Sequence, residues 1–184
     1  MTPYFFGYGS LVNRSTHDYP DAHAAQLVGW RRAWVRSEAF DRVFLSVIPD
    51  PDTTISGLIA AVPGADWAAL DARETGYARL HSGDAVVHPL APAPPIAHYA
   101  VPVQQQGTTT RDTIILSYLD VVVQGFLREF GTEGVTHFFD TTDGWDTPIL
   151  NDRSAPQYPR HQMLSSEETE LVDHHLKRLS ARLE

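Results

Sequence analysis

The sequence contains no cysteine, which excludes disulfide bonds, thiol nucleophiles and cysteine-ligated zinc. It also lacks any apolar run near the roughly eighteen residues that a membrane-spanning helix requires. No basic segment precedes an apolar stretch at the N-terminus, as it would in a signal peptide. These absences predict a cytoplasmic protein with no membrane partner.

Positive charge is scarce, because 14 lysines and arginines stand against 23 acidic residues and the formal net charge is -9. The basic residues are scattered along the chain and form no stripe. Contacts with phosphates supply most of the non-specific affinity for nucleic acid, so this distribution predicts no nucleic-acid partner. The expected partner is a small molecule, and the sequence leaves the oligomeric state open.

Complete metal-binding motifs are also missing. A calcium loop beginning at Asp140 would need a glutamate at its twelfth position, which is Asn151. His174 and His175 are adjacent, and the chain has no His-Glu-x-x-His sequence. We therefore predict neither a metal nor an organic cofactor.

The 184 residues, 42% of them hydrophobic, suit one domain with a buried core. Strand patterns dominate the first half, at residues 4–6, 27–35, 43–48, 55–62, 77–80, 85–88 and 96–103. Helical patterns cover residues 66–73, 112–130, 135–139 and the segment after the capping-box pair Ser165 and Glu168. We predict an α+β fold over residues 1–184, a small, mostly antiparallel β-barrel with helices packed on it. Residues 145–184 form a C-terminal extension in this prediction.

Prolines and glycines add local expectations to this outline. The segment Pro49–Asp52 predicts a turn that separates two strands. Gly57, inside a strand pattern, predicts a bulge or a close backbone approach, and Pro102 predicts that its strand lies at a sheet edge.

The loop after the first strand, Gly7-Tyr8-Gly9-Ser10-Leu11, is the first candidate binding element. Glycine permits a positive φ and a close approach of a ligand to the backbone. Successive N–H groups in such a turn form a concavity that binds anions, so a carboxylate or an oxyanion is a suitable guest. The alternative is an ordinary tight turn between strands. The loop matches neither the P-loop nor the dinucleotide-binding fingerprint.

The segment "LDARETGYARL" places Glu74 where a short helix ends and the chain turns at Gly76 into a strand. A carboxylate at such a junction can project into a cleft. Negative charge is unfavourable at a helix C-terminus, so Glu74 needs another reason to be there. The alternative is a solvated glutamate at a helix end.

These two motifs together resemble the gamma-glutamylcyclotransferase-like family. "FGYGSL" precedes "LDARETGY", and "ISGLIAAV" stands in the place of the family's glycine-containing central strand. "SYLDVVVQGFLREFG" followed by "ILNDRSAPQYPR" is similar to its bacterial members. The resemblance covers most of the chain.

The resemblance implies a small barrel fold and an acyltransferase or lyase reaction that releases 5-oxoproline from a γ-glutamyl amine or peptide. It implies that backbone amides of Tyr8, Gly9, Ser10 and Leu11 hold the γ-glutamyl group and that Glu74 is the catalytic acid and base. No cofactor is implied. The sequence after Glu74 differs from the glycine pair usual in glutathione-degrading members, so the leaving amine stays open.

Two other functions remain open from the residues alone. One is a binding module that holds a carboxylate ligand in the same pocket without chemistry. The other is a hydrolase, which needs a second carboxylate about 5–10 Å from Glu74. Asp152, Arg153, Tyr158 and Arg160 form either a lid over the site or a surface segment fixed by salt bridges.

Overall fold

A curled, mixed β-sheet with helices packed against it is the main feature of the computed structural model, which describes residues 1–184. The helices are α1 (Ala68–Arg73), α2 (Leu116–Asp140) and α3 (Ser166–Arg178). The strands are β1 (Tyr4–Gly7), β2 (His23–Ser37), β3 (Arg42–Ala61), β4 (Ala78–His81), β5 (Val86–Val87), β6 (Ile96–Ala100), β7 (Ile114–Ile115), β8 (Thr142–Asp143) and β9 (Ile149–Leu150). The predicted α+β class is confirmed.

The main sheet has the order β4-β6-β1-β3-β2-β5, and β8 also pairs with β2. The long β2–β3 pair, β1–β3 and β4–β6 are antiparallel, whereas β1–β6 and β2–β8 are parallel. Its path ends at β4 and β5, so the sheet is a curled half-barrel and not a closed barrel. β7 and β9 form a separate parallel pair.

The predicted separation of two strands at Pro49–Asp52 is wrong, because Arg42–Ala61 is a single strand, although its pairing with β2 is interrupted between Pro49 and Thr54. β1 covers only the end of β3, and Pro51 has no partner in β2 either, so the missing N–H groups of the two prolines cost little. The bulge of this pair consists of residues 50–53 of β3, which lie opposite the single residue Gly29 (φ 80°), because the pairing passes directly from Trp30–Pro49 to Val28–Thr54. Gly57 is instead a point of close approach, against the carbonyl of Gly7.

The expectation for Pro102 is also wrong, since β6 ends at Ala100 and lies between β4 and β1. Proline cannot supply a ladder N–H, so the strand ends before it.

The α2 helix carries a break at Gly131, whose φ of 66° is left-handed, and helical structure resumes directly after it. This agrees with the predicted helix end at Gly131 and the short helix that follows. The apolar face of α2, including Leu119, Val122 and Phe126, packs in the largest core cluster beneath the sheet. None of the three helices combines the length and apolar character needed to cross a bilayer.

The capping box predicted for α3 is present in full. The Ser165 hydroxyl accepts from the N–H of Glu168 at 3.1 Å, and the Glu168 carboxylate accepts from the N–H of Ser165 at 2.9 Å. Val172 and Leu176 of α3 belong to the same core cluster as α2, so the last helix is anchored to the body of the protein.

Candidate active site

The loop after β1 is a 3-10 turn, Ser10–Val12, held at both ends. The N–H of Val12 donates to the carbonyl of Gly9 at 2.9 Å, which closes the turn. The Asn13 side chain donates to the carbonyl of Val121 at 3.0 Å and ties the loop to α2. The first amides of a helical turn have no acceptor within it, so the N–H groups of Ser10 and Leu11 have no partner inside the turn.

Glycine is required in this loop by contacts of the protein itself. A Cβ on Gly7 would lie 2.5 Å from the Cβ of Leu11, and one on Gly9 would lie 2.7 Å from the hydroxyl of Tyr118. Neither glycine has a positive φ. The positive φ that glycine permits is therefore not used here, and close packing explains both positions.

Glu74 lies at the C-terminal end of α1, as the sequence predicts. Its N–H donates to the carbonyl of Leu70 at 2.9 Å, and Gly76, with a φ of 99°, then turns the chain toward β4. The Glu74 side chain is only 16% exposed, and the Arg73 guanidinium lies 3.2 Å from its carboxylate. Burial raises the pKa of Glu74 above its usual 4.5, although the charges of Arg73 and Arg160 act against the rise.

Arg73 joins the two motifs, and no sequence signal identified it. Its guanidinium donates to the carbonyl and hydroxyl of Thr16, at 2.8 and 2.9 Å, and to the hydroxyl of Ser10 at 3.4 Å. The end of α1 is thus fixed to the loop, with Glu74 beside it.

The structure brings the loop and Glu74 into one recess. Residues 7–11 line it together with Glu74, Tyr77, Tyr99 and Tyr118. The recess opens into a cleft of about 670 Å³ that shares Ser10, Glu74, Tyr77 and Tyr118 with it. That volume lies within the range of small-molecule sites. Glu74 is the only carboxylate in either lining.

Four tyrosines line this recess, of which the sequence predicted only Tyr8: Tyr8, Tyr77, Tyr99 and Tyr118. Tyr8 donates to the carbonyl of Tyr99 at 2.6 Å, and Tyr77 donates to the carbonyl of Leu45 at 2.9 Å. Burial raises the pKa of both phenols far above 10.0, so they stay protonated at neutral pH. Tyr8 lines the recess and is buried.

Arg32 supports the loop from beneath and is fully buried. It donates to the carbonyl of Tyr8 at 2.9 Å, to the hydroxyl of Thr141 at 3.0 Å and to the carbonyl of Ser56. Burial lowers its pKa to about 9, so it remains a cation at neutral pH. No carboxylate pairs with it.

Residues 152–160, here named the arm, form one wall of the cleft. The buried carboxylate of Asp152 accepts from the N–H and hydroxyl of Ser117 at 2.7 and 2.6 Å and from the N–H of Gln157 at 2.8 Å. Gln157, Tyr158 and Arg160 line the cleft. Arg153 pairs with Asp120 and Asp173, outside the lining. The arm is thus fixed by Asp152 and also borders the site.

Asp152→Asn is expected to lower the free energy of unfolding by about 1.5–3 kcal/mol, because an amide replaces one charged acceptor of this network. Chemical denaturation of both proteins measures the change. Asp173→Asn is the control: its ion pair with Arg153 is 51% exposed on the carboxylate side and is worth about 1 kcal/mol or less. Equal losses in the two variants would contradict a structural role for Asp152.

The family model described as ChaC-like protein matches residues 3–116. The match includes the loop, Glu74 and β1 to β7, whereas most of α2, the arm and α3 lie beyond it. Comparison with curated protein sequences gives no match.

Solved structures share the whole architecture. A gamma-glutamyl cyclotransferase superposes with a TM-score of 0.57 at 12% identity, over 95% of this chain and 99% of that chain. The uncharacterized human protein loc79017 gives 0.56 at 12% identity, over 94% and 98%. YkqA from Bacillus subtilis gives 0.54 at 18% identity, over 78% of this chain and 56% of that chain. At these identities the likeness establishes the fold.

Proposed function

Because the chain belongs to the ChaC-like protein family, which includes gamma-glutamyl cyclotransferases, we propose that it converts a γ-glutamyl amine or peptide into 5-oxoproline and a free amine. The observation that carries the proposal is the shared recess: loop residues 7–11 and the buried Glu74 face the same small volume. The loop binds negative charge with its backbone amides, and Glu74 acts as the acid and base.

The reaction in this proposal is an intramolecular acyl transfer. Glu74 accepts a proton from the α-ammonium of the substrate, and the freed amine attacks the γ-carbonyl carbon. The new C–N bond closes the five-membered ring and moves negative charge to the carbonyl oxygen. Amides of Gly9, Ser10 and Leu11 stabilise that oxyanion or hold the α-carboxylate. Protonated Glu74 then gives its proton to the leaving nitrogen as the original amide bond breaks. The ring nitrogen, which still carries two protons after the attack, passes one of them to the regenerated Glu74 carboxylate, and that proton leaves with the released amine as its ammonium.

Two features of the site suit this role. Burial brings the pKa of Glu74 closer to neutral pH, which makes its carboxylate a stronger base than that of an exposed glutamate. Binding the γ-glutamyl group in a folded conformation beside the loop and Glu74 brings amine and carbonyl together, and such positioning corresponds to effective molarities on the order of 10⁵ M or more.

A second carboxylate at 5–10 Å, which the hydrolase alternative needs, is missing from the lining of the recess and the cleft. This observation disfavours a hydrolase with two carboxylates. The choice between an enzyme and a carboxylate-binding module depends on product formation.

The test is incubation with a panel of γ-glutamyl amino acids, peptides and amines, with 5-oxoproline measured by mass spectrometry. We expect product from at least one class, in the presence of EDTA as in its absence, because no group of three or more histidines or acidic residues could hold a metal ion. Binding of 5-oxoproline without turnover of any compound would favour the binding module. Loss of activity in EDTA with rescue by a divalent ion would contradict the proposed chemistry.

The pH dependence of kcat/KM is expected to show an acidic limb controlled by Glu74. Below its pKa the carboxyl is protonated and cannot accept the ammonium proton, so activity rises as pH rises through that value. Since burial raises the pKa of Glu74, the limb lies above 4.5. Initial rates across pH 4–9 measure it. A profile that is flat down to pH 4 would exclude Glu74 as the base.

A further inference from the structure

The cleft is larger than the γ-glutamyl group alone requires. The inner recess already offers the loop amides and Glu74, which the cyclising half of the substrate uses in the proposed reaction. The recess itself has a volume of only about 20 Å³, so the outer cleft of about 670 Å³ must hold part of the γ-glutamyl group as well as the leaving amine. Its walls therefore determine which amines are accepted.

The cleft carries unpaired positive charge in a protein that is otherwise strongly acidic. Most arginines of the chain pair with a carboxylate, as Arg14, Arg36 and Arg153 do. Arg42 and Arg160 line the cleft, and neither forms an ion pair. The only carboxylate of the lining is Glu74, which the reaction itself uses. An anionic group on the ligand would complement this charge.

The arm presents Arg160 from a fixed base. Besides the Asp152 network, the N–H of Tyr158 donates to the hydroxyl of Ser117 at 3.1 Å. The Tyr158 ring stands edge-on to Tyr118, with the ring centroids 5.1 Å apart and an interplanar angle of 88°. Tyr118 in turn lines the inner recess. The arm is thus packed onto the catalytic half of the site.

We propose that the arm is a specificity element and that Arg160 binds a carboxylate carried by the leaving amine. This inference rests on the proposed function. In this arrangement the protein prefers γ-glutamyl amino acids and peptides to γ-glutamyl amines that lack a carboxylate. The arm lies beyond residues 3–116, the part of the chain that matches the family model.

The test compares two substrates that differ only in the carboxylate, γ-glutamyl-alanine and γ-glutamyl-ethylamine, in the wild type, Arg160→Gln and Arg182→Gln. We expect the wild type to favour γ-glutamyl-alanine in kcat/KM. Arg160→Gln should reduce that value about tenfold, mainly through KM, as loss of a charged hydrogen bond does. The value for γ-glutamyl-ethylamine should change far less at a pH well above the acidic limb, where the effect of the Arg160 charge on the pKa of Glu74 matters least. Arg182 is exposed and lies outside the cleft, so its variant should match the wild type.

Binding measurements keep the test independent of turnover. Calorimetry with the same two compounds on Glu74→Gln, with and without Arg160→Gln, should show the same preference and the same loss. A carboxylate preference that depends on Arg160, in a protein that forms no 5-oxoproline, would refute the proposed function and support the subsite. Equal use of both compounds by the wild type, a preference unchanged in Arg160→Gln, or binding of neither compound would overturn the role of Arg160.

Discussion

Glu74→Gln is expected to lower the rate of 5-oxoproline formation by about 10²–10⁴-fold, equal to roughly 3–5 kcal/mol of barrier. Glutamine keeps the size of the side chain and its hydrogen bonds, but it cannot accept the ammonium proton. Affinity for 5-oxoproline should stay close to that of the wild type, because the loop amides are untouched. Steady-state rates and a calorimetric titration on the same preparation measure both quantities.

Glu74→Gln should not lower the thermal stability of the protein, although it lowers the activity. The folded-state pKa of Glu74 is raised above 4.5, chiefly by burial. The stability that this carboxyl contributes is therefore present below about pH 4.5 and is lost as pH rises through the folded pKa. Glutamine carries no such penalty, so Glu74→Gln should melt at or above the wild-type Tm at pH 7, with the difference shrinking toward pH 4.

Two controls separate catalysis from structure. Glu133→Gln removes an exposed carboxylate of α2 and should change neither rate nor Tm. Glu74→Asp keeps the charge but withdraws it by one methylene, and it should also lose activity, because proton transfer requires hydrogen-bond reach. Full activity of Glu74→Gln would refute the role of Glu74, and a lower Tm at pH 7 would point to a structural ion pair with Arg73.

The sequence predicted those parts of the molecule whose signal is local. The α+β class, the end of α1 at Glu74 and the capping box of α3 follow from spacing, turn residues and caps over a few positions. The loop was identified because two glycines directly follow a strand. Glu74 was identified because a negative charge at the C-terminus of a helix is unfavourable and suggests a functional role. That the two face one recess is a structural observation, while their roles in binding and catalysis stay predictions.

Contacts between residues far apart in the chain could not be predicted from the sequence. Arg73, Arg32 and Tyr118 connect the loop to α1, β2 and α2, and none stands in a pattern that marks it. The continuation of β3 was missed for a related reason. Its two prolines indicate a turn locally, but the segments on both sides of them pair with the same long strand, β2, so the chain bulges at residues 50–53 and the strand continues. The reason for Gly9 likewise depends on Tyr118, a residue of another element.

Gly9→Val is expected to reduce kcat/KM by about 10²-fold and to weaken 5-oxoproline binding while the protein still folds. A Cβ here lies 2.7 Å from the hydroxyl of Tyr118 and 3.3 Å from a methyl of Leu45. The Tyr118 ring packs edge-on against Trp34 and Tyr158, so it cannot move aside freely. The loop must shift instead, and a displacement of about 1 Å in a positioning element costs about this much rate. Overpacking should cost about 1–3 kcal/mol of stability.

A double-mutant cycle tests the cause. Tyr118→Phe removes the atom that a side chain on Gly9 would meet, so Gly9→Ala should be less harmful in the Tyr118→Phe protein than in the wild type. Kd for 5-oxoproline and Tm, measured on all four proteins, separate binding from folding. Coupling in Kd that exceeds the coupling in Tm would assign Gly9 to the geometry of the recess. If Gly9→Ala has the same effect in both backgrounds, contact with Tyr118 is not why this position is glycine. If Gly9→Val keeps full affinity, the loop is an ordinary turn, and the γ-glutamyl group must be held elsewhere.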